Sequence, residues 1–165
     1  MTTLPAFEEI VRDHHAMIRR IVASYEARSA AVEDLVQDVY MALWRALPKF
    51  RGESSVRTFV ARIATNRAIT HVARATRLPA AVELTDQVAA PDDNPELRAI
   101  ALDRSARLAS AVRALPLAYR QAAMLALEGL TPREIADVLG ISANAVAIRM
   151  SRAKERLRAQ MGEQL

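Results

Sequence analysis

Asn144, Ala147, Ile148, Ser151 and Arg152 recur on one side of the stretch Ala143 to Ala159, and Arg149, Lys154, Arg156 and Arg158 stand around them. On a helix, an amide, a hydroxyl and a guanidinium so spaced can hydrogen-bond to base edges, an aliphatic side chain can pack on a thymine methyl group, and flanking cations can meet phosphates. The pattern requires a buried side as well. At about 100° per residue, Val146, Met150, Ala153 and Leu157 fall in one narrow stripe, and Ile148 lies about 170° from its centre. This places an isoleucine in solvent at the position where a base would be read. The chemistry is that of recognition, in which no bond is made or broken.

Such a helix must be held by a second one, and the preceding residues supply it. Thr131-Pro132-Arg133-Glu134 is a capping box with proline at the first helical position. Gly140 suits the left-handed turn, and Ser142 caps the second helix. Ala136 is small enough for a close crossing, while Ile135, Leu139, Ile141 and Val146 are apolar on either side of it. Together these predict a helix-turn-helix.

A different polar surface lies nearer the N-terminus. In a helix predicted to start near Val32 and to end by Leu47, before Pro48, the apolar side is Leu35, Val36, Val39, Ala42, Leu43, Ala46 and Leu47. Asp34, Gln37, Asp38, Met41 and Arg45 form a separate stripe. A methionine within an acidic stripe suits an adaptable protein contact better than a purely solvated face. The next helix has the opposite character. No acid occurs between Glu53 and Glu83, whereas Arg57, Arg62, Arg67, Arg74, Arg77 and His71 do. From Ala64 onward, Ala64, Ala68, Ile69, Val72 and Ala75 take one side and Asn66, Arg67, Thr70, His71, Arg74 and Arg77 the other. A face of one sign repels itself unless something anionic sits against it.

The elements that position these surfaces come from the rest of the chain. An opening helix is predicted from Pro5 to about Ala27, with Phe7, Ile10, Val11, Ile18, Ile21 and Val22 on its apolar side. Residues 79–95 hold three prolines and four acids, which marks an exposed linker. Helix returns after Asn94-Pro95, and Leu115-Pro116 divides it from one ending at Gly129. Few glycines and aromatics, with no sustained period-2 alternation, predict an all-α chain of two small helical domains joined by a flexible acidic linker: 1–78, 79–95 and 96–165. Limited proteolysis is expected to cut first between Leu78 and Pro95 and to leave two resistant fragments; a single uncut core would refute that division.

Charge follows the same division. Residues 1–77 carry 12 Lys/Arg against 8 Asp/Glu, residues 78–103 carry 1 against 6, and residues 104–165 carry 10 against 5. Two basic ends around an acidic middle suit two modules that face nucleic acid. There is no cysteine, so disulfides and thiolate metal sites are excluded and the cytoplasm is the default compartment. The N-terminus runs straight into Phe7-Glu8-Glu9-Ile10, and no apolar run reaches 18 residues, so neither a signal peptide nor a membrane segment is expected. His14 and His15 project about 100° apart on a helix and cannot share a metal, and no nucleophile with its base or Gly-rich phosphate loop is present. No enzyme, cofactor or metal site is therefore expected.

The order of these parts is itself specific. Glu33-Asp34-Leu35-Val36-Gln37-Asp38-Val39-Tyr40, then a loop, then Arg57-Thr58-Phe59-Val60-Ala61-Arg62-Ile63-Ala64-Thr65-Asn66-Arg67, then a linker, Leu115-Pro116 and the terminal helix-turn-helix resemble a bacterial RNA polymerase sigma factor of the extracytoplasmic-function (ECF) group. The resemblance covers nearly the whole chain apart from the linker. It implies a first domain that binds the polymerase clamp and opens the minus-ten element, and a second that binds the flap and reads the minus-thirty-five element. Carried to this chain, Asp34, Gln37, Asp38 and Met41 would contact core polymerase. The loop from Arg51 to Arg57 would hold a flipped base, and Arg62, Asn66 and Arg67 would line the opened strand. Asn144, Ala147, Ile148, Arg149, Ser151, Arg152 and Lys154 would meet duplex DNA. A cognate anti-sigma factor is also implied.

The chain departs from the family pattern at Phe59, where tryptophan is usual, at Thr70 and Ala73, at Asn144-Ala145 and at Ala147-Ile148. Those changes bear on which promoter is read. The rival reading is a DNA-binding regulator that acts without polymerase, since Leu130 to Arg158 also resembles the helix-turn-helix of response-regulator-type activators. The N-terminal half, however, has no strand-helix alternation to build a receiver domain.

Overall fold

The computed structural model describes residues 6–76 and 95–162, and of these 95–98 only as backbone. Seven α-helices make up the described residues: α1 (Phe7–Ala23), α2 (Ser29–Ala46), α3 (Val56–Ala75), α4 (Pro95–Arg113), α5 (Leu117–Leu127), α6 (Pro132–Leu139) and α7 (Ala143–Met161). Among them there is no strand. The predicted linker, with Arg77 and Asn94, lies almost wholly outside the described residues, as does the predicted start of α1 at Pro5.

The first three helices pack mutually around Ile18, Ile21, Val22, Val36, Val39, Leu43 and Val60, each essentially inaccessible. Helix α1 ends earlier than its apolar pattern suggests, at Ala23 rather than near Ala27. There the Ser24 backbone N–H closes the last turn and its buried hydroxyl donates to the Ile21 carbonyl at 2.7 Å, a local bond that competes with further helix. Helix α2 starts three residues sooner than Val32, at Ser29. It stops at Ala46, and Pro48 falls in a short 3₁₀ turn, Leu47–Lys49. Ser55 caps α3, its hydroxyl accepting from the Thr58 N–H at 3.1 Å.

Helices α6 and α7 form the helix-turn-helix as their sequence demands. Thr131 accepts from the Glu134 N–H, and the Glu134 carboxylate accepts from the Thr131 N–H at 2.8 Å. Gly140 turns the chain in the left-handed region (φ 65°), and the Ser142 hydroxyl accepts from Ala145 N–H at 3.1 Å. Replacing Gly140 with alanine meets open space, so its cost comes from backbone conformation alone, on the order of 1–2 kcal/mol of melting stability. Thermal unfolding of Gly140→Ala checks this, and an unchanged midpoint would refute it.

Candidate polymerase and nucleic-acid interfaces

The structure separates the two faces of α2 as the sequence predicts. Val32, Leu35, Val36, Val39, Ala42 and Leu43 are buried, and Asp34, Gln37, Asp38, Met41 and Arg45 are exposed. Tertiary structure adds one residue that sequence reasoning missed. Trp44 is 60% exposed beside Met41 at 54%, and its ring meets Phe7 edge-on at 5.2 Å. One exposed apolar side chain means little, but a methionine and a tryptophan three residues apart, adjoining two carboxylates, make a contact surface. The sequence signal was that Trp44 is the only tryptophan in the chain.

Helix α3 divides less cleanly than the sequence suggests. Asn66, Arg67, Thr70 and Arg74 are exposed and Ala64 and Ala68 buried, as expected, but Ala75, assigned to the apolar side, is exposed near the helix end. Arg62 is only half-exposed, with its Nε buried and unpartnered. The buried hydroxyl of Thr65 also lacks a partner. An unpaired buried polar atom is costly, so an approaching ligand that accepts from Arg62 recovers free energy. Phe59 is half-buried against Phe50, their ring centroids 4.5 Å apart.

His71 does not belong to a free basic face. Its Nε2 lies 2.8 Å from a Glu26 carboxylate oxygen, tying the end of α3 to the α1–α2 turn. Burial alone would raise the Glu26 pKa, but hydrogen bonds from the Arg28 side chain and backbone and from His71 outweigh it and bring the value to about 2. A depressed carboxylate stabilises the fold above the ordinary value and loses that contribution as pH falls through the folded one. The parent should therefore lose its advantage over Glu26→Gln between about pH 4.5 and pH 2, by up to about 3 kcal/mol. Parallel pH-dependent unfolding of the two proteins measures this; curves that keep a constant separation would refute it.

Helix α7 presents the two sides assigned to it. Val146, Ala153 and Leu157 are buried and Met150 half-buried, whereas Asn144, Ala147, Ile148, Ser151 and Arg152 are exposed, Ile148 at 55%. Lys154 is exposed, and Arg149 is half-buried with Nη1 3.4 Å from the Gln121 Oε1 of α5. Arg152 pairs with Glu155 at 3.0 Å, an exposed contact worth little and easily exchanged for a base. Arg156 is partly committed elsewhere, its guanidinium 5.6 Å from the Tyr119 ring centroid. No group of three or more His, Cys, Asp or Glu able to hold a metal occurs among the described residues.

The two halves touch, which no sequence pattern announced. Glu128, at the end of α5, is only 4% exposed and accepts a bidentate pair from Arg20 of α1 at 2.6 and 2.8 Å. This bond raises the Arg20 pKa. Arg57 donates to the Glu128 backbone carbonyl, and the buried Thr58 hydroxyl donates to Glu134 at 2.9 Å. Arg120 lies 5.9 Å from the Tyr25 ring centroid. The start of α3 is thus engaged by the α5–α6 corner of the same chain.

Comparison with known proteins places these features in a family. Residues 10–78 match the family described as Sigma-70 region 2, and residues 105–157 match Sigma-70, region 4. The RNA polymerase sigma factor CnrH of Cupriavidus metallidurans is 30% identical over 163 residues, covering 93% of this chain and 85% of CnrH. The ECF RNA polymerase sigma factor SigE of Mycolicibacterium smegmatis is also 30% identical, over 94% of this chain, which spans 61% of the length of SigE. Among solved structures, CnrH in complex with the cytosolic domain of CnrY superposes with a TM-score of 0.69 at 25% identity, covering 99% of this chain and 92% of that one. The sigma factor RpoE in complex with the anti-sigma factor NepR, from Bartonella quintana, has a TM-score of 0.79 at 20% identity over 96% of this chain and 98% of that one. With both sigma regions present in order and relatives matched along nearly its whole length, the chain belongs to the sigma-70 family of RNA polymerase sigma factors, in its extracytoplasmic-function group.

Proposed function

We propose that this chain is an alternative sigma factor that binds core RNA polymerase and directs promoter-specific initiation. The observation that carries the reading is the pairing of two differently built exposed surfaces in one chain: the Asp34, Gln37, Asp38 and Met41 stripe of α2, and the base-facing side of α7. A regulator acting without polymerase needs only the second. In this reading residues 1–78 bind polymerase and the minus-ten element, residues 79–95 link, and residues 96–165 read the minus-thirty-five element. Arg57, Arg62, Asn66 and Arg67 receive the single strand, where a positive surface and a pocket offset the few kcal/mol of unstacking a base. The protein makes no bond of its own, and its work is done in the compartment that holds the polymerase, the cytoplasm. No helix among the described residues is long and apolar enough to cross a membrane. Structural neighbours caught with NepR and CnrY support an anti-sigma factor as a further partner.

Run-off transcription with purified core polymerase tests the assignment, using the DNA upstream of the chain's own gene as template. Initiation at one defined start, dependent on this chain, is the expected result. Sequence-specific DNA binding without any stimulation of core polymerase would favour the polymerase-independent regulator instead.

A further inference from the structure

We propose that Met41 is a reversible oxidation site, at which a peroxide converts the thioether to the sulfoxide and so weakens capture of core polymerase by the free chain. The inference rests on the reading of the α2 stripe as the polymerase surface. The chain has no cysteine, so no thiol competes for a two-electron oxidant and its thioethers are left to react. Among the described residues these differ sharply in access. Met41 is 54% exposed, whereas Met17 and Met124 are 5% and 7% exposed in the core, and Met150 and Met161 are half-buried. The most open thioether of the described residues therefore stands in the stripe assigned to polymerase, on one face with Asp34, Gln37 and Asp38 and three residues before the exposed Trp44.

The step is an oxygen-atom transfer. The Met41 sulfur attacks one oxygen of hydrogen peroxide, and the O–O bond breaks as the S–O bond forms. The proton of the attacked oxygen passes to the leaving one, which departs as water; sulfur gives up two electrons and the peroxide receives them. Thioether and sulfoxide differ little in size and much in character. The first is soft and apolar and adapts to a partner's surface, whereas the second carries an acceptor oxygen with no hydrogen to donate. Asp34 and Asp38 are acceptors on the same stripe, so within an interface the new oxygen competes with them for the partner's donors or goes unpaired, and either outcome costs affinity. The fold is not at stake, because Met41 lies on the exposed side of α2, opposite Leu35, Val36, Val39 and Leu43. Bound polymerase covers the sulfur in this reading, so oxidation acts on the free chain.

The test treats the full chain with hydrogen peroxide, removes the peroxide, and measures core polymerase binding, melting and the oxidation of each methionine by peptide mass mapping. Met41 should become the sulfoxide at least about threefold faster than Met17, Met124, Met150 and Met161. Polymerase affinity should fall by about tenfold while the melting midpoint stays at the parent value. Methionine sulfoxide reductases acting on both sulfur epimers should then restore it. Met41→Leu, compared with itself before and after the same treatment, should change by less than about twofold whatever its starting affinity. Earlier oxidation of another of these methionines overturns the proposal, as does unchanged affinity at full Met41 conversion or an equal loss in Met41→Leu. The triple alanine variant of Asp34, Gln37 and Asp38 judges the underlying reading separately. If it loses polymerase while the sulfoxide form does not, the surface stands and the oxidation site falls; if it binds as the parent does, both fall.

Discussion

Replacing Asp34, Gln37 and Asp38 together with alanine is expected to weaken capture of core RNA polymerase by more than about a hundredfold while leaving the fold as stable as the parent. The asymmetry comes from where the three side chains stand. All are exposed, on the side of α2 opposite Leu35, Val36, Val39 and Leu43, so their loss opens no cavity and costs surface-like amounts, within about 0.5 kcal/mol. At an interface the same groups are desolvated against a partner, and truncating a charge that has a buried partner costs about 2–5 kcal/mol each, much of it from the group left unpaired. Met41→Ala and Trp44→Ala should add smaller losses through contact area, since both side chains project from the same surface at over half exposure. The checks are a pull-down titration with core polymerase and a melting curve on the same preparations. Retained polymerase binding would remove α2 from the interface, and a large fall in melting temperature would show the stripe to be structural.

The second large effect concerns the division of labour along α7. Arg152→Ala is expected to cost about 1–3 kcal/mol of promoter affinity and to relax preference at one base pair, whereas Arg158→Ala should weaken all sequences alike and lower the salt slope by up to about one unit. Both arginines are exposed, so the difference lies in direction rather than availability. Arg152 shares its face with Asn144, Ala147, Ile148 and Ser151, opposite the buried Val146, Ala153 and Leu157; Arg158 lies at the far end, where cations meet backbone. Ile148→Ala should selectively lose preference for a thymine. A promoter-library titration at several salt concentrations distinguishes the two classes. An unchanged ranking of sequences in Arg152→Ala and Ile148→Ala would show that this helix does not read bases.

Some of this protein is local, and local physics suffices for it. The helix-turn-helix was legible because each of its requirements is met by a residue within a few positions: Thr131 and Glu134 cap one another, Gly140 adopts the positive φ, and Ser142 caps α7. The polar stripe of α2 and the exposed Ile148 were legible for the same reason, since helical periodicity assigns faces once an apolar side is found. Helix ends were less so. Ala23 ends α1 because the Ser24 hydroxyl turns back on the Ile21 carbonyl, a choice between local bonds that periodicity does not weigh.

Composition and helical periodicity therefore suffice for an all-α chain with its exposed faces, its helix-turn-helix and its basic and acidic segments. Tertiary structure alone decided which charges those faces meet. Glu128 reads as an ordinary surface acid at a helix end, yet it is buried against Arg20, 108 residues away in sequence. His71 reads as one more cation on α3 and is instead tied to Glu26, and Arg57 and Thr58 are engaged by residues 71 and 76 positions distant. Periodicity carries no information about such pairings, because a charge pair is specified by the positions of two separate elements, and those positions come from how apolar faces pack.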